Sequence, residues 1–234
     1  MDFSKQTAVV TGAAGNLGRA VARAFADRGA NVVLVDRRVD RLVDRYGPAN
    51  DRTLYTAGDL GHPADAAAIA QQACDRFGGI DVLCNLAGAF RMGEAVHETT
   101  DATWDLLFDA NVRSLRNMVR AVVPVMLDGG GGRIVNVGAY AARTGVANMG
   151  AYTAAKTVVL RLTEAMAAEL RGHNINVNCV LPATLDTPEN RAAMPGADPA
   201  RFVALADLAE AIVFLASPAA HAIHGAALPV TGTA

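Results

Sequence analysis

Thr7-Ala8-Val9-Val10-Thr11-Gly12-Ala13-Ala14-Gly15-Asn16-Leu17-Gly18 lies near the start of the chain, and its reading decides the fold. Thr7 to Val10 is an apolar run of strand type. From Leu17 to Arg28 apolar residues recur at Leu17, Val21 and Phe25 with small residues between, and the pattern stops at Gly29. A strand therefore runs into a helix through a turn carrying Gly12, Gly15 and Gly18. Glycines at this spacing allow a tight turn, close approach of backbone to a pyrophosphate, and close packing of helix on strand. The helix start adds free N–H groups and a partial positive charge, which favour phosphate. A glycine triplet alone is weak evidence, since a Gly-rich turn needs no ligand. Here an acid, Asp36, follows about 20 residues after the turn, at the end of the next apolar run, where it can accept ribose hydroxyls and repel a 2′-phosphate. The reading is a dinucleotide site. NAD is favoured, and NADP stays open because a guanidinium at Arg37 or Arg38 can hold a 2′-phosphate.

Working outward, short apolar runs alternate with helical patterns to the end of the chain. Strands are predicted at Asn31–Val35, Leu54–Ala57, Asp81–Asn85, Arg133–Val137, Ile175–Leu181 and Ala226–Val230. Helices are predicted at His62–Phe77, Thr103–Leu127 with at most a local interruption at Pro124, Ala151–Arg171 and Leu205–Leu215. Strands apolar on both faces belong in a parallel sheet covered by helices on either side. Such a doubly wound α/β sheet binds its ligand at the carboxyl ends of the strands, so functional residues should follow each strand. Nothing long or polar enough divides residues 1–234 into two domains. The irregular, proline-rich stretch 183–204 reads as a flap over the site.

Composition narrows the function. In 234 residues, 21 Lys+Arg against 23 Asp+Glu give a net charge of −2. That balance argues against a nucleic-acid groove or a polybasic membrane surface. No run approaches the ~18 apolar residues of a membrane span, and the N-terminus lacks a signal-peptide pattern. Cys74, Cys84 and Cys179 make no disulfide framework and no metal-ligand spacing. A cytoplasmic protein acting on a small molecule, without a bound metal, is the expectation.

Tyr152 and Lys156 stand four residues apart at the start of a predicted helix and so share one face. A free tyrosine, at about 10, is too weak an acid for proton transfer at neutral pH. A neighbouring ammonium, together with the positive charge of oxidised nicotinamide, is expected to lower it and make Tyr152 a general acid/base. Such a pair alone is usually just a solvated helix face; its weight comes from its company.

That company is Thr11-Gly12 to Gly18, Asp59-Leu60 after the third strand, Asn85-Leu86-Ala87-Gly88 after the fourth, Asn111 in the long helix, Tyr152/Lys156, and Pro182 and Thr187 after the sixth strand. In this order and spacing, over nearly the whole chain, the sequence resembles the short-chain dehydrogenase/reductase family. The resemblance implies a Rossmann-type sheet of about seven strands, an NAD(P)-dependent oxidoreductase, and a homodimer or homotetramer. It implies cofactor contacts from Gly12, Gly15, Asn16, Leu17, Gly18, Asp36, Arg37, Asp59, Leu60, Asn85, Ala87 and Gly88, and from Tyr152, Lys156, Pro182, Leu185 and Thr187. Tyr152 is then the proton donor, Lys156 a ribose ligand that tunes it, and Asn111 the holder of a relay water. Local alternatives stay open: Asp59 as a helix cap, Asn111 as a buried residue satisfied by backbone, Thr187 as the cap of a short helix starting at Pro188.

Two positions depart from the family pattern. Asn16 stands where glycine is usual, tolerable because asparagine accepts left-handed backbone. Ala139 stands where the family carries its catalytic serine, and losing an oxyanion donor costs roughly 10²–10³ in rate. Three readings stay open: Tyr140 or Thr144 substitutes as a hydroxyl donor near the substrate, the substrate needs no donor, or the chain binds cofactor without turnover. The segment Leu181 to Arg191, with Thr184-Leu185-Asp186-Thr187-Pro188, resembles the flap of dihydropteridine reductases, implying a small cyclic substrate such as a quinonoid dihydropterin. Asn85 and Asn111 follow the general family pattern instead, which leaves a carbonyl reductase or alcohol dehydrogenase as the alternative.

Overall fold

The computed structural model describes residues 1–232. Seven strands form one parallel sheet in the order β3-β2-β1-β4-β5-β6-β7. They are β1 (Thr7–Thr11), β2 (Asn31–Asp36), β3 (Thr53–Ala57), β4 (Val82–Asn85), β5 (Gly132–Val137), β6 (Ile175–Pro182) and β7 (Ala227–Val230). Alternation along each central strand feeds two cores. Val9, Val33 and Val35 pack on one face with Ile69, Met118 and Val159. Ala8, Val10, Val32 and Leu34 pack on the other with Val21, Phe25, Leu208 and Ile212. Burial on both faces is why these strands read as unbroken apolar runs. Chain order reverses between β1 and β4, which opens a crevice at their carboxyl ends.

Helices α1 (Asn16–Ala26), α3 (Pro63–Phe77), α6 (Gly150–Leu170) and α8 (Leu205–Leu215) match the predicted ones to within two residues. Three features differ. An unpredicted helix α2 (Val39–Tyr46) follows β2; it buries only Leu42, too thin an apolar stripe to announce itself. The predicted helix Thr103–Leu127 is two helices, α4 (Asp101–Phe108) and α5 (Ser114–Asp128), joined by a π-helical turn at Asp109–Arg113. The break falls there and not at Pro124, which α5 carries in its interior. Within 183–204 a short helix α7 (Pro188–Ala193) forms, and a bridge between Leu185 and Val203 closes the segment on itself.

Candidate active site

The crevice is built where β1 and β4 end. The Thr11 hydroxyl accepts from the N–H groups of Leu86 and Ala87 at 2.9 and 3.0 Å and donates to the Cys84 carbonyl at 3.3 Å, clamping the two strand ends together. Gly12 turns with φ +66°, and a Cβ there would lie 3.1 Å from the Ala87 backbone. At Gly18 a Cβ would sit 2.3 Å from the Gly12 carbonyl oxygen. Both glycines are therefore dictated by close approach, as the sequence suggests. Gly15 caps α1 without a side-chain bond, so its first-turn N–H groups are left for a ligand. Asn16 begins the helix and does not use left-handed backbone, contrary to the reason given for tolerating it; Gly12 is the position in this loop with positive φ. Its side chain instead donates to Glu189 on α7 at 2.8 Å.

A cleft of about 480 Å³ extends from this loop. Among the expected cofactor residues it brings together Gly12, Asp36, Arg37, Asp59, Leu60, Ala87 and Gly88. Leu17 and Gly18 lie at the start of α1 and do not line it. Pro182, Leu185 and Thr187 do not line it; Pro182 ends β6 and the other two follow that strand. Asp36 is nearly buried, accepting from Ala14 N–H at 3.1 Å, Arg37 N–H at 2.9 Å and the Arg41 guanidinium at 2.9 Å. Arg38, named with Arg37 as a phosphate holder, is turned to Asp40. The Asp59 carboxylate accepts from Gly61 N–H at 2.9 Å and does not cap α3, whose N-cap is His62. The Asn85 side chain donates to Asn136 at 2.9 Å, inside the sheet, and Asn136 in turn donates to Thr163 at 2.9 Å. A lone polar side chain at a strand end is free to serve the sheet, and this one is buried.

Gly88 joins this cleft to the other half of the site. A Cβ on Gly88 would meet Asn111 Oδ1 at 2.6 Å and Lys156 Nζ at 3.5 Å. Asn111 lies in the π-helical turn, a feature often found at functional sites. Its amide donates to the carbonyls of Ala89 and Leu107, both at 2.9 Å, and its oxygen accepts from Ala89 N–H at 3.3 Å. The backbone thus satisfies the side chain, which holds the loop after β4 in place. Lys156 is buried and donates to the Val137 carbonyl at the end of β5, at 2.8 Å.

Tyr152 stands one helical turn earlier, half-buried, with Phe90 edge-on to its ring at 4.8 Å. Its hydroxyl makes no hydrogen bond among the described residues. The electrostatics run against expectation. Burial pushes Tyr152 up to about 12 and pulls Lys156 down to about 8. The amine gives one hydrogen to a carbonyl, and desolvation disfavours the charged form of each group, so the protein alone does not acidify the phenol. Tyr152 also lines a second cavity of about 160 Å³ with Arg91, Glu94 and Thr103. Its walls are joined by Gly93 N–H donating to the Asn148 carbonyl at 2.8 Å. Ala139 is buried and extended at the start of a 3₁₀ turn. Tyr140 beside it is exposed, with the Arg143 guanidinium over its ring at 5.1 Å. Thr187 caps α7, accepting from Asn190 N–H at 3.2 Å, and its hydroxyl also hydrogen-bonds the Glu189 carboxylate.

Sequence reasoning missed Tyr46, Phe90 and Arg41. The Tyr46 hydroxyl donates to the Ala13 carbonyl at 2.7 Å and braces the glycine loop. It stands on the helix that went unpredicted. The aromatic Phe90, two residues after Gly88, was a signal available in the sequence.

Residues 6–197 match the family described as short chain dehydrogenase. The chain is 35% identical to cis-4-hydroxycyclohexanecarboxylate dehydrogenase of Sinomonas cyclohexanicum, over 98% of this chain and 96% of that protein. It is 31% identical to the 3-oxoacyl-acyl-carrier-protein reductase FabG of Vibrio cholerae, over 99% and 98%. Among solved structures, a 3-ketoacyl-(acyl-carrier-protein) reductase from Brucella melitensis, complexed with NADH, superposes with a TM-score of 0.88. The two are 32% identical, with 97% of each chain covered.

Proposed function

This chain belongs to the short-chain dehydrogenase family and is an NAD(P)-dependent oxidoreductase; we propose that it interconverts a carbonyl and an alcohol on a small molecule, with Tyr152 as proton donor. The residues present fit the dinucleotide. Gly12 and Gly18 leave backbone bare where a Cβ would collide, α1 offers uncapped N–H groups, and Asp36 stands at the far end of the cleft. Gly12, Gly15, Asn16, Leu17 and Gly18 would hold the pyrophosphate, with Asp36, Arg37, Asp59 and Leu60 at the adenosine end. Ala87, Gly88 and Lys156 would hold the nicotinamide half, with Pro182, Leu185 and Thr187 closing over it from a flap at 183–204. When bound, the dinucleotide supplies or accepts the hydride.

The observation that carries the proposal is the crowding at Gly88. Asn111 and Lys156 both approach a position where no side chain fits, on the wall of the cleft and one helical turn from a phenol without a hydrogen-bond partner. Because burial keeps that phenol protonated, it is set to give a proton to a substrate oxygen or nitrogen. Lys156, held by Val137, keeps its remaining hydrogens for a ribose hydroxyl. Asn111 acts by fixing the loop that carries Gly88, and any relay water would meet its backbone, since the side chain is taken.

The similar proteins named above are dehydrogenases and reductases of alcohols and ketones, which favours a carbonyl substrate over a dihydropterin. One observation keeps the second reading: Ala139 offers no hydroxyl beside Tyr152, and a conjugated imine needs less oxyanion support than a ketone. Exposed Trp104 on α4 and Leu127 on α5 suit a contact between copies of this chain in a homodimer or homotetramer, to be read by light scattering. The test of function follows loss of reduced-nicotinamide absorbance across cyclic ketones, acyclic ketones and a quinonoid dihydropterin. Turnover of a ketone that Tyr152→Phe abolishes, with dinucleotide affinity kept, is the expected result. Normal turnover by the Phe variant overturns the role of Tyr152.

A further inference from the structure

The carboxylate at the far end of the cleft is already occupied. Asp36 Oδ1 accepts from Arg37 N–H and from Arg41 Nη1, each at 2.9 Å, and Oδ2 accepts from Ala14 N–H at 3.1 Å. An ionised carboxylate has about four acceptor positions, so three are used. A ribose diol donating both hydroxyls needs two and finds one. Of the three donors in place, two are backbone N–H groups that shape the glycine loop and the end of β2. The third is on a side chain, and Arg41 is 52% exposed. Arg41 is the donor that can leave.

Where its guanidinium goes matters, because Arg41 and Arg37 line the same cleft as Asp36, with Asp59 the second carboxylate at this end. A planar guanidinium matches a phosphate with two parallel N–H bonds. Arg38, the other candidate in this stretch, is paired with Asp40.

We propose that Arg41 is a specificity-determining residue at the adenosine end of the cleft: it competes with an unphosphorylated ribose for Asp36 and swings to pair a 2′-phosphate. The inference rests on the dinucleotide reading above. It makes NADP(H) an accepted cofactor despite the acid at position 36. It also gives Arg41 opposite effects on the two cofactor types, which a merely structural ion pair does not have.

The test is calorimetric binding of 5′-AMP and of 2′,5′-ADP to the wild-type protein, Arg41→Ala and Arg41→Lys, without turnover. The ratio of the two dissociation constants cancels everything that the 5′-phosphate and adenine contribute. Arg41→Ala should shift that ratio toward 5′-AMP by about tenfold or more, the scale of a charged hydrogen bond. Arg41→Lys, which keeps the charge and loses the fork, should fall between. An unchanged ratio in Arg41→Ala overturns the proposal, including the case where both affinities fall together from local damage. If wild-type protein binds neither nucleotide, the dinucleotide reading fails and takes this inference with it; binding of both with an unmoved ratio removes the inference alone.

Discussion

Lys156 carries a charge into the interior with no carboxylate to meet it, and the consequence can be measured. Among the described residues its amine has only the Val137 carbonyl as hydrogen-bond partner, and desolvation lowers it from the ordinary 10.5 to about 8. That gap is worth about 3 kcal/mol. Below pH 8 the amine is protonated in both folded and unfolded chains, and the folded state bears the whole penalty. Between the two values the unfolded chain binds the proton and the folded chain does not, so stability rises with pH. Above 10.5 both forms are neutral and the penalty is gone. Lys156→Met keeps the length and removes the charge. The stability of the wild-type protein minus that of Lys156→Met should therefore grow by roughly 2 kcal/mol between about pH 7.5 and about pH 10. Subtraction removes every other titration. Urea unfolding can be followed by Trp104, the sole tryptophan. The chain has just two lysines, Lys5 and Lys156, so ¹³Cε-lysine labelling gives two resonances, separable with Lys5→Arg. A stability difference flat with pH, or a Lys156 resonance titrating at or above 10.5, refutes the reasoning.

Tyr152→Phe should lower kcat by about 10²–10⁴ in steady-state assays while dinucleotide affinity, by calorimetry, holds. Ala139→Ser adds one hydroxyl in a buried extended position beside the site. It should raise turnover of ketones by up to ~10² and leave a dihydropterin nearly unchanged, so equal gains on both would count against oxyanion support as the missing element. Gly18→Ala places a methyl 2.3 Å from the Gly12 carbonyl oxygen and 2.7 Å from Ala13 Cα. Since backbone must move, thermal unfolding should show a loss of about 1–3 kcal/mol, with weaker nucleotide binding.

The glycine loop was legible because its constraint is local: Gly12 and Gly18 are dictated by atoms within a few residues or on the next strand end. The strands were legible because burial on both faces leaves little room for polar residues. The π-helical turn at Asp109–Arg113 was not. An extra residue in one helical turn shifts the apolar period by an amount that a 25-residue pattern absorbs without a visible break. Asn111 was picked out, yet its function in the fold depends on Ala89 and Gly88, which reach it only through tertiary packing. The Asn85 partner was hidden for the same reason: Asn136, its neighbour on β5, is 51 residues away in sequence and meets it only through strand pairing.

The sign of the Tyr152 shift shows where pattern reasoning stops. Spacing of four residues places an amine beside a phenol, but it says nothing of what else the amine touches or how dry the pair is. Composition carries a better clue. All but two of this chain's 21 basic residues are arginine, and one of the exceptions is buried at the centre of the site. Arginine keeps its proton under all ordinary conditions, so burying it there would fix an uncompensated charge, whereas lysine can lose its proton when desolvated. Its compact ammonium sits beside Gly88, where a Cβ would lie 3.5 Å from the amine and 2.6 Å from the Asn111 oxygen. A chain that writes its cations almost uniformly as arginine, and departs from that at a helix position four residues after a tyrosine, marks a place where the charge must be able to change.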